Sequence, residues 1–320
     1  MTASPLQARV HTLRHEAERI MSIELRPVTG NAFPAFEAGA HIDLHLPNGL
    51  TRSYSLANDC REKNRYLLGV LNDRNSQGGS RWLHEHLRVG ACISISPPRN
   101  NFPLDETCDH SVLIAGGIGI TPILSMARRL SALNKSYEVI YCARTRSAAA
   151  FIDDLQALGS HCSFHIDDEQ DSPPDLTALL SQYEPRDTTH LYACGPSLML
   201  DAFEACCRKL GHYHAHIERF SAKEVAPSSD AKLSYTVELR RSGRTFEVPP
   251  QSTLHRRLIE QGIHVPFSCE EGICGSCETQ VLHGDIDHRD SVLTVDEKAK
   301  NTTMMVCVSG CKSDRLVLDL

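Results

Sequence analysis

Four cysteines near the C-terminus have the spacing to hold metal. Cys269-x4-Cys274-x2-Cys277 is followed, after 29 intervening residues, by Cys307. A [2Fe–2S] cluster takes four thiolates, two per iron, and C-x4-C-x2-C…C is a spacing that supplies them. Gly272, Gly275 and Ser276 lie between the ligands, small enough for the backbone to wrap a cluster and aim N–H groups at its sulfurs. Zinc sites usually combine two short cysteine pairs. Only one C-x2-C pair is present here, so iron–sulfur is preferred over a zinc knuckle or four buried free thiols. Cys311, four residues past Cys307, is either a spare ligand or a bystander, and the bystander role is favoured.

A second chemistry is suggested by VLIAGGIGITPILSMARRL, which reads as a buried strand, a glycine turn and a helix. It matches neither G-x-G-x-x-G nor a P-loop, because Pro122 stands at the third glycine position and no Gly-Lys-Ser/Thr follows. The anion-binding physics is still available. Gly116, Gly117 and Gly119 permit close backbone approach, Thr121 can cap, and Pro122 suits the first helical position. The helix N-terminus then offers free N–H groups to a pyrophosphate. Tyr192-Ala-Cys194-Gly195-Pro196 ends another apolar run in the same way, and ligands of open parallel sheets sit at such carboxyl ends.

A third group is Arg52-Ser53-Tyr54-Ser55, just after the Asn48-Gly49 turn. Arginine can clamp a phosphate, a tyrosine ring can stack on an aromatic cofactor, and hydroxyls can complete the hydrogen bonding. Gly78-Gly79-Ser80 is a second anion-friendly turn. Either could equally be plain strand and turn residues.

Three blocks must position these groups. Residues 1–104 alternate as short strands, among them AHIDLHLP (40–47), RYLLGVL (65–71) and ACISISPP (91–98), with Asn-Gly as a hairpin signal. They predict a small antiparallel β-barrel. Residues 105–224 alternate apolar runs (SVLIAG, YEVIYCA, HLYACG) with helical stretches (TPILSMARRLSAL, AAAFIDDLQALG, PSLMLDAFEACCRKLG), which predicts a parallel sheet with crossovers. SAKEVAPSSDAK (221–232) reads as a linker. Residues 225–320 then predict a hairpin around Arg240–Gly243, a helix from Ser252 as N-cap to Gly262 as C′, the cysteine loop and a last strand, RLVLDL.

Composition narrows the function classes. The 320 residues are 41% hydrophobic and 23% charged, enough for several cores and unlike a disordered chain. The net charge of −7, without a basic block, argues against nucleic acid as the main partner. No run approaches a membrane span and the first residues lack the apolar stretch of a signal peptide, so a cytoplasmic protein with no membrane partner is expected. Thirteen cysteines, an odd number, with five of them in the last 52 residues, suit a metal site better than a disulfide framework. HEHLR fails as a zincin motif because Arg88 stands where the second histidine is needed. His212, His214 and His216 would share one face of an extended strand, as surface or edge histidines rather than a metal site.

Taken together the three blocks resemble the phthalate dioxygenase reductase family, the reductase components of Rieske-type oxygenases, nearest to its vanillate O-demethylase branch. The resemblance runs from AGAHIDLHLPNGLTRSYSLAND through RNNFPL, AGGIGITP, YCAR, YACGP and SCEEGICGSC to DHRD and LVLDL. It implies a multidomain fold: a flavin-binding antiparallel β-barrel, an α/β parallel-sheet nucleotide-binding domain and a C-terminal β-grasp, plant-type ferredoxin. It further implies that Arg52, Ser53, Tyr54, Ser55, Val70, Gly78, Gly79 and Ser80 bind FMN, with Thr121 reaching it from the next domain. Gly117, Gly119, Arg144, Cys194, Gly195 and Pro196 would frame NADH, Phe220 would lie near the flavin ring, and Cys194 and Phe220 would be the catalytic residues. Cys269, Cys274, Cys277 and Cys307 would hold the cluster. The implied activity is NADH oxidation, with electrons passed singly to a Rieske-type terminal oxygenase. Arg144 and Arg146 leave open a 2′-phosphate and hence NADPH.

Overall fold

The computed structural model describes residues 5–30, 32–74, 76–159, 161–185, 188–221 and 234–320. The chain divides into two compact units, one ending at Phe220 and the other starting at Ser221. Apart from Ser221, the linker read at 221–232 lies outside the described residues.

The first unit begins with strands β1 (Leu6–Ala17), β2 (Ile20–Pro27), β3 (His41–His45), β4 (Thr51–Ser55) and β5 (Tyr66–Leu71), helix α1 (Gly79–His86) and strand β6 (Cys92–Ile95). The strands form an antiparallel sheet in the order β4-β3-β6-β1-β2-β5. Its two edges meet through a Leu56–Leu68 bridge and the Ala57 N–H to Leu67 O bond of 2.8 Å, so the sheet curls towards closure. The alternation read from sequence supplies its interior: Ile23, Leu25, Ile42, Leu44, Leu68 and Ile95 are all fully buried. Asn48-Gly49 does turn the β3–β4 hairpin, with Gly49 at φ +83°.

The chain continues through β7 (His110–Gly116), α2 (Ile120–Ala132), β8 (Ser136–Ala143), α3 (Ile152–Gln156), β9 (Cys162–Ile166), α4 (Asp167–Gln170), α5 (Leu176–Leu180), β10 (Thr189–Cys194), α6 (Ser197–Leu210) and β11 (Ala215–Glu218). The five strands form a parallel sheet in the order β11-β10-β7-β8-β9. Every residue of α2 from Ile120 to Ala127 is buried, including the polar Thr121 and Ser125. The helix expected over 148–159 shortens to α3, after a 3₁₀ turn at Arg146–Ala148.

Barrel and parallel sheet share one core. Ala17, Ile20, Ala38 and Ala57 of the barrel region pack with Phe102, Ile120, Met126 and Phe151. Polar ties reinforce it: Ser125 Oγ donates to Asn58 O at 3.1 Å, and Arg128 Nη1 donates to Ala57 O at 2.6 Å.

The second unit contains β12 (Tyr235–Leu239), β13 (Thr245–Val248), α7 (Leu254–Glu260), β14 (Glu278–His283), β15 (Ile286–Asp287), α8 (Val295–Lys300), β16 (Thr303–Met305), β17 (Gly310–Cys311) and β18 (Arg315–Leu318). The main sheet runs β13-β12-β18-β14-β16, with the last strand parallel to β12 and antiparallel to β14. The cap of α7 falls one residue later than the sequence suggests. Thr253 Oγ1 accepts from Arg256 N at 3.2 Å, while Gly262 takes the left-handed C′ position at φ +70°.

Candidate functional site

Strand β4 and the start of α1 bring two of the anion-binding candidates together. A Cβ on Gly79 would lie 2.5 Å from Arg52 Cγ and 2.9 Å from Arg52 Nε, so the arginine lies across the first turn of the helix. The Gly78-Gly79-Ser80 turn is therefore a helix N-terminus, with Gly78 at φ +98° as N-cap and Ser80 Oγ donating to Ser76 Oγ at 2.9 Å. Arg52 donates to Thr51 O and forms no ion pair among the described residues, leaving its cationic fork for an anion beside free helical N–H groups. Ser53 is committed elsewhere, donating to Asp43 Oδ1 at 2.7 Å. Tyr54 is half-buried, and desolvation pushes its phenol well above the usual range. Val70 is fully buried in the barrel core, and its carbonyl accepts from His84 Nε2 at 2.9 Å. That bond gives the HEHLR histidine a structural task.

The glycine turn at 116–119 and the Cys194–Pro196 turn also touch. A Cβ on Gly119 would lie 2.2 Å from Cys194 O and 2.7 Å from Gly195 N. The space beside Gly119 is thus filled by the protein's own backbone rather than kept for a ligand. Gly117, at φ +53° with nothing within 4 Å of its Cβ position, faces open space. Two local expectations are corrected here. Thr121 does not cap α2, since Gly119 is the N-cap; the Thr121 hydroxyl donates to Ile118 O at 3.1 Å. Pro122 falls at the third helical position, because a 3₁₀ turn at Gly117–Gly119 brings the helix start forward to Ile120. Thr121 does reach the barrel, for its Cγ2 would be 2.6 Å from a Cβ on Gly69 in β5.

Where these parts converge, three polar groups meet. Cys194 ends β10 in register with Glu218, which ends β11. Ser55, the last residue of β4, donates through Oγ to Glu218 Oε2 at 3.4 Å. Glu218 is partly covered, and desolvation pushes its carboxyl up to about 8 against the Ser55 bond that favours ionisation. Cys194 is fully buried; desolvation first, then the neighbouring Glu218, holds its thiol protonated. Phe220, two residues on, is 38% exposed. Between them Arg219 is locked to α6 through Asp201 (2.8 Å) and Glu204 (2.6 Å).

In the second unit the four expected ligands come together. The Cys269 sulfur lies against the thiols of Cys274 and Cys307, and Cys307 lies against Cys277. Glu271 N and Ile273 N donate to Cys269 Sγ at 3.3 and 3.5 Å, so the loop amides do point at a sulfur. These donors hold Cys269 far below the usual thiol range, after the larger effect of the two neighbouring thiols. Four converging sulfurs with backbone donors fit a [2Fe–2S] cluster. Cys311 is turned to other partners, with its Sγ 3.2 Å from Ser313 Oγ.

A 2Fe-2S iron-sulfur cluster binding domain matches residues 237–312, and an oxidoreductase NAD-binding domain matches residues 113–205. The vanillate O-demethylase oxidoreductase of Pseudomonas sp. (strain HR199 / DSM 7063) is 43% identical over 97% of this chain and 98% of its own. The phthalate dioxygenase reductase of Burkholderia cepacia is 39% identical over 98% of this chain and 97% of its own. The solved structure of a phthalate dioxygenase reductase, described as modular for electron transfer from pyridine nucleotides to [2Fe-2S], superposes with a TM-score of 0.72 at 38% identity over 99% and 98% of the two chains. The chain belongs to the phthalate dioxygenase reductase family. An intact type IV self-sufficient cytochrome P450 monooxygenase matches with a TM-score of 0.90 at 38% identity, covering 99% of this chain but only 41% of that one.

As a member of this family the chain is an oxidoreductase that uses NADH, FMN and a [2Fe–2S] cluster to supply an oxygenase. Glu218 is the residue that sequence reasoning missed. Its one signal was an acidic side chain in AHIERF, two positions before Phe220. Arg144 is exposed at the carboxyl end of β8, while Arg146 is paired bidentately with Glu169 at 2.6 and 2.8 Å. The alternating histidines do not all share a face. His214 and His216 stack on His190 at ring distances of 4.5 and 5.3 Å, whereas His212 is buried apart, with its Nε2 3.3 Å from Leu180 O. The left-handed Gly211 breaks the run before β11 begins. Burial, then the charges of His190 and His214, pushes His216 down to about 4. No helix of the described residues is long and apolar enough to cross a membrane.

Proposed function

We propose that this chain passes electrons from NADH, through FMN and the cysteine-bound cluster, to a Rieske-type terminal oxygenase in a transient complex in the cytoplasm. The carrying observation is the Ser55–Glu218 hydrogen bond, which joins the barrel strand that bears Arg52 to the edge strand β11, beside the strand that ends in Cys194. Arg52 and the α1 N-terminus would take the FMN phosphate, with Tyr54 and Ser55 toward the ring. The backbone at Gly117 and the Cys194–Pro196 turn would frame the dinucleotide, with Phe220 covering the reacting face. Cys269, Cys274, Cys277 and Cys307 would ligate the irons. Bound FMN accepts two electrons at once and releases them singly, which matches a two-electron donor to a one-electron cluster. The residues around it position the partners, and Glu218 at neutral pH adds a polar group without adding charge.

Three cofactor domains, 1–104, 105–224 and 225–320, are part of this reading; the boundary at 224 falls outside the described residues, close to the division after Phe220. A plant-type centre near ~−400 mV lies below Rieske centres, so the final transfer runs downhill.

The test is absorbance of anaerobically purified protein before and after one equivalent of NADH, followed by addition of a purified Rieske-type oxygenase. Flavin and iron–sulfur bands that bleach with NADH and recover with the oxygenase are expected. A cluster spectrum without flavin, or bleaching that no Rieske centre reverses, overturns the proposal. A cytochrome P450 acceptor is the second reading, favoured by the structural match to a P450 monooxygenase. Recovery with a P450 and none with Rieske proteins would select it.

A further inference from the structure

Asp290 is buried beside the cluster loop with its charge only partly answered. Its side chain is 0% exposed. One carboxylate oxygen, Oδ2, accepts from Val292 N at 3.2 Å and Leu293 N at 2.9 Å, with Lys298 Nζ 3.6 Å away. The other, Oδ1, has no hydrogen-bond partner; His288 Nδ1 lies 3.6 Å off, and neither buried ring nitrogen of His288 is bonded. An enclosed carboxylate with an open oxygen costs stability, so its presence calls for a compensating use.

The neighbouring contacts supply that use. Ser291 N donates to Gly272 O at 2.9 Å. Gly272 sits at φ +70°, and a Cβ there would be 2.5 Å from Val308 Cγ2, 3.2 Å from Asp290 Cα and 3.4 Å from Asp290 Cβ. It is therefore clamped between the Asp290 turn and the residue after Cys307. On either side of Gly272, Glu271 and Ile273 donate their N–H groups to Cys269 Sγ.

We propose that Asp290 is a positioning residue for the cluster: its carboxylate fixes the 290–293 turn, the turn holds Gly272, and Gly272 sets the two N–H···S bonds on Cys269. Such bonds favour the more negative, reduced cluster and so raise its potential. The inference rests on the tetrad holding [2Fe–2S], which the wild-type spectrum tests by itself.

The decisive comparison is the full-length holoprotein carrying D290N or D290A, titrated potentiometrically with EPR detection. Asn removes the charge but keeps an acceptor for the two turn N–H groups; Ala removes both. D290A is expected to have a more negative midpoint than D290N and an altered EPR line shape, while D290N keeps the wild-type line shape. Equal midpoints for the two variants would show that only the charge matters and would overturn the positioning role. G272A tests the next link with the carboxylate intact. Its Cβ would clash with Val308 Cγ2, crowd Asp290 Cα at 3.2 Å and sit on a strained φ of +70°, so the loop must shift between them and a lower reduced fraction at the wild-type midpoint potential is expected. An unchanged potential and line shape in G272A would overturn the inference, and a wild-type protein without cluster would instead overturn the iron–sulfur reading.

Discussion

Replacing Glu218 by Gln should abolish a pH dependence that this partly covered carboxyl imposes on NADH oxidation. Burial pushes this group up to about 8, with Ser55 opposing. A group with that value is protonated roughly ten to one at pH 7 and ionised roughly ten to one at pH 9. Ionisation would place a negative charge, answered only by the Ser55 hydroxyl, where two electrons are arriving. The wild-type turnover should therefore fall as pH rises through about 8.

Gln is nearly isosteric with the neutral acid and cannot ionise. E218Q should stay within ~10-fold of wild type at pH 7 and lose the alkaline fall. S55A makes a second, signed check. Its hydroxyl favours the ionised carboxylate, so removing it should move the inflection to higher pH. The assay is steady-state NADH oxidation with ferricyanide, which bypasses the protein acceptor, measured from about pH 6 to 9.5. An inflection that survives unchanged in E218Q, or a flat wild-type profile, would refute the assignment.

Other outcomes follow from single contacts. C274S should lose the iron–sulfur absorbance while C311S keeps it, because only Cys274 faces the other ligand thiols; iron content per chain checks both. E169A frees Arg146 for a 2′-phosphate and should raise the NADPH-to-NADH ratio of kcat/KM by up to ~5-fold, the limit set by an exposed ion pair. The gain should vanish in the E169A/R146A double variant. For His216, held down to about 4, the unfolded chain binds the extra proton between about 6.5 and about 4. Stability should thus fall with pH across that window and fall less in H216N, as denaturant midpoints would show.

Legibility in the sequence followed the distance between cooperating residues. Three ligands of the cysteine tetrad lie within nine consecutive positions, so spacing alone revealed the loop and its small residues. The hairpin at Asn48-Gly49 and the buried strands β7, β8 and β10 were likewise local signals. Gly78-Gly79-Ser80 was read as a turn because Trp82, Leu83 and Leu87 give too short an apolar pattern to announce α1. Glu218 was invisible for a different reason. Its partner Ser55 is 163 positions away, and only the shared core of barrel and sheet brings them together. The glycines misled in one respect: Gly119 looked like a ligand cradle, but its missing Cβ admits the Cys194 carbonyl.

That last point extends to Gly69, where the barrel makes a similarly close approach to the parallel-sheet half of the same unit. An added Cβ would lie 2.6 Å from Thr121 Cγ2, 3.0 Å from Phe151 Cε2 and 3.2 Å from Ile118 Cδ1. Thr121 and Phe151 are buried on their other sides, so neither can yield without moving α2 or the start of α3. G69A should cost about 1–3 kcal/mol, as for other overpacked sites, and lower the melting temperature. Displacement of β5 from α2 would also disturb the packing that holds Ser55 to Glu218, already a long bond at 3.4 Å. The alkaline inflection of NADH oxidation should then shift upward, as in S55A. A destabilised G69A enzyme that keeps the wild-type inflection would show that the close approach at Gly69 serves stability alone.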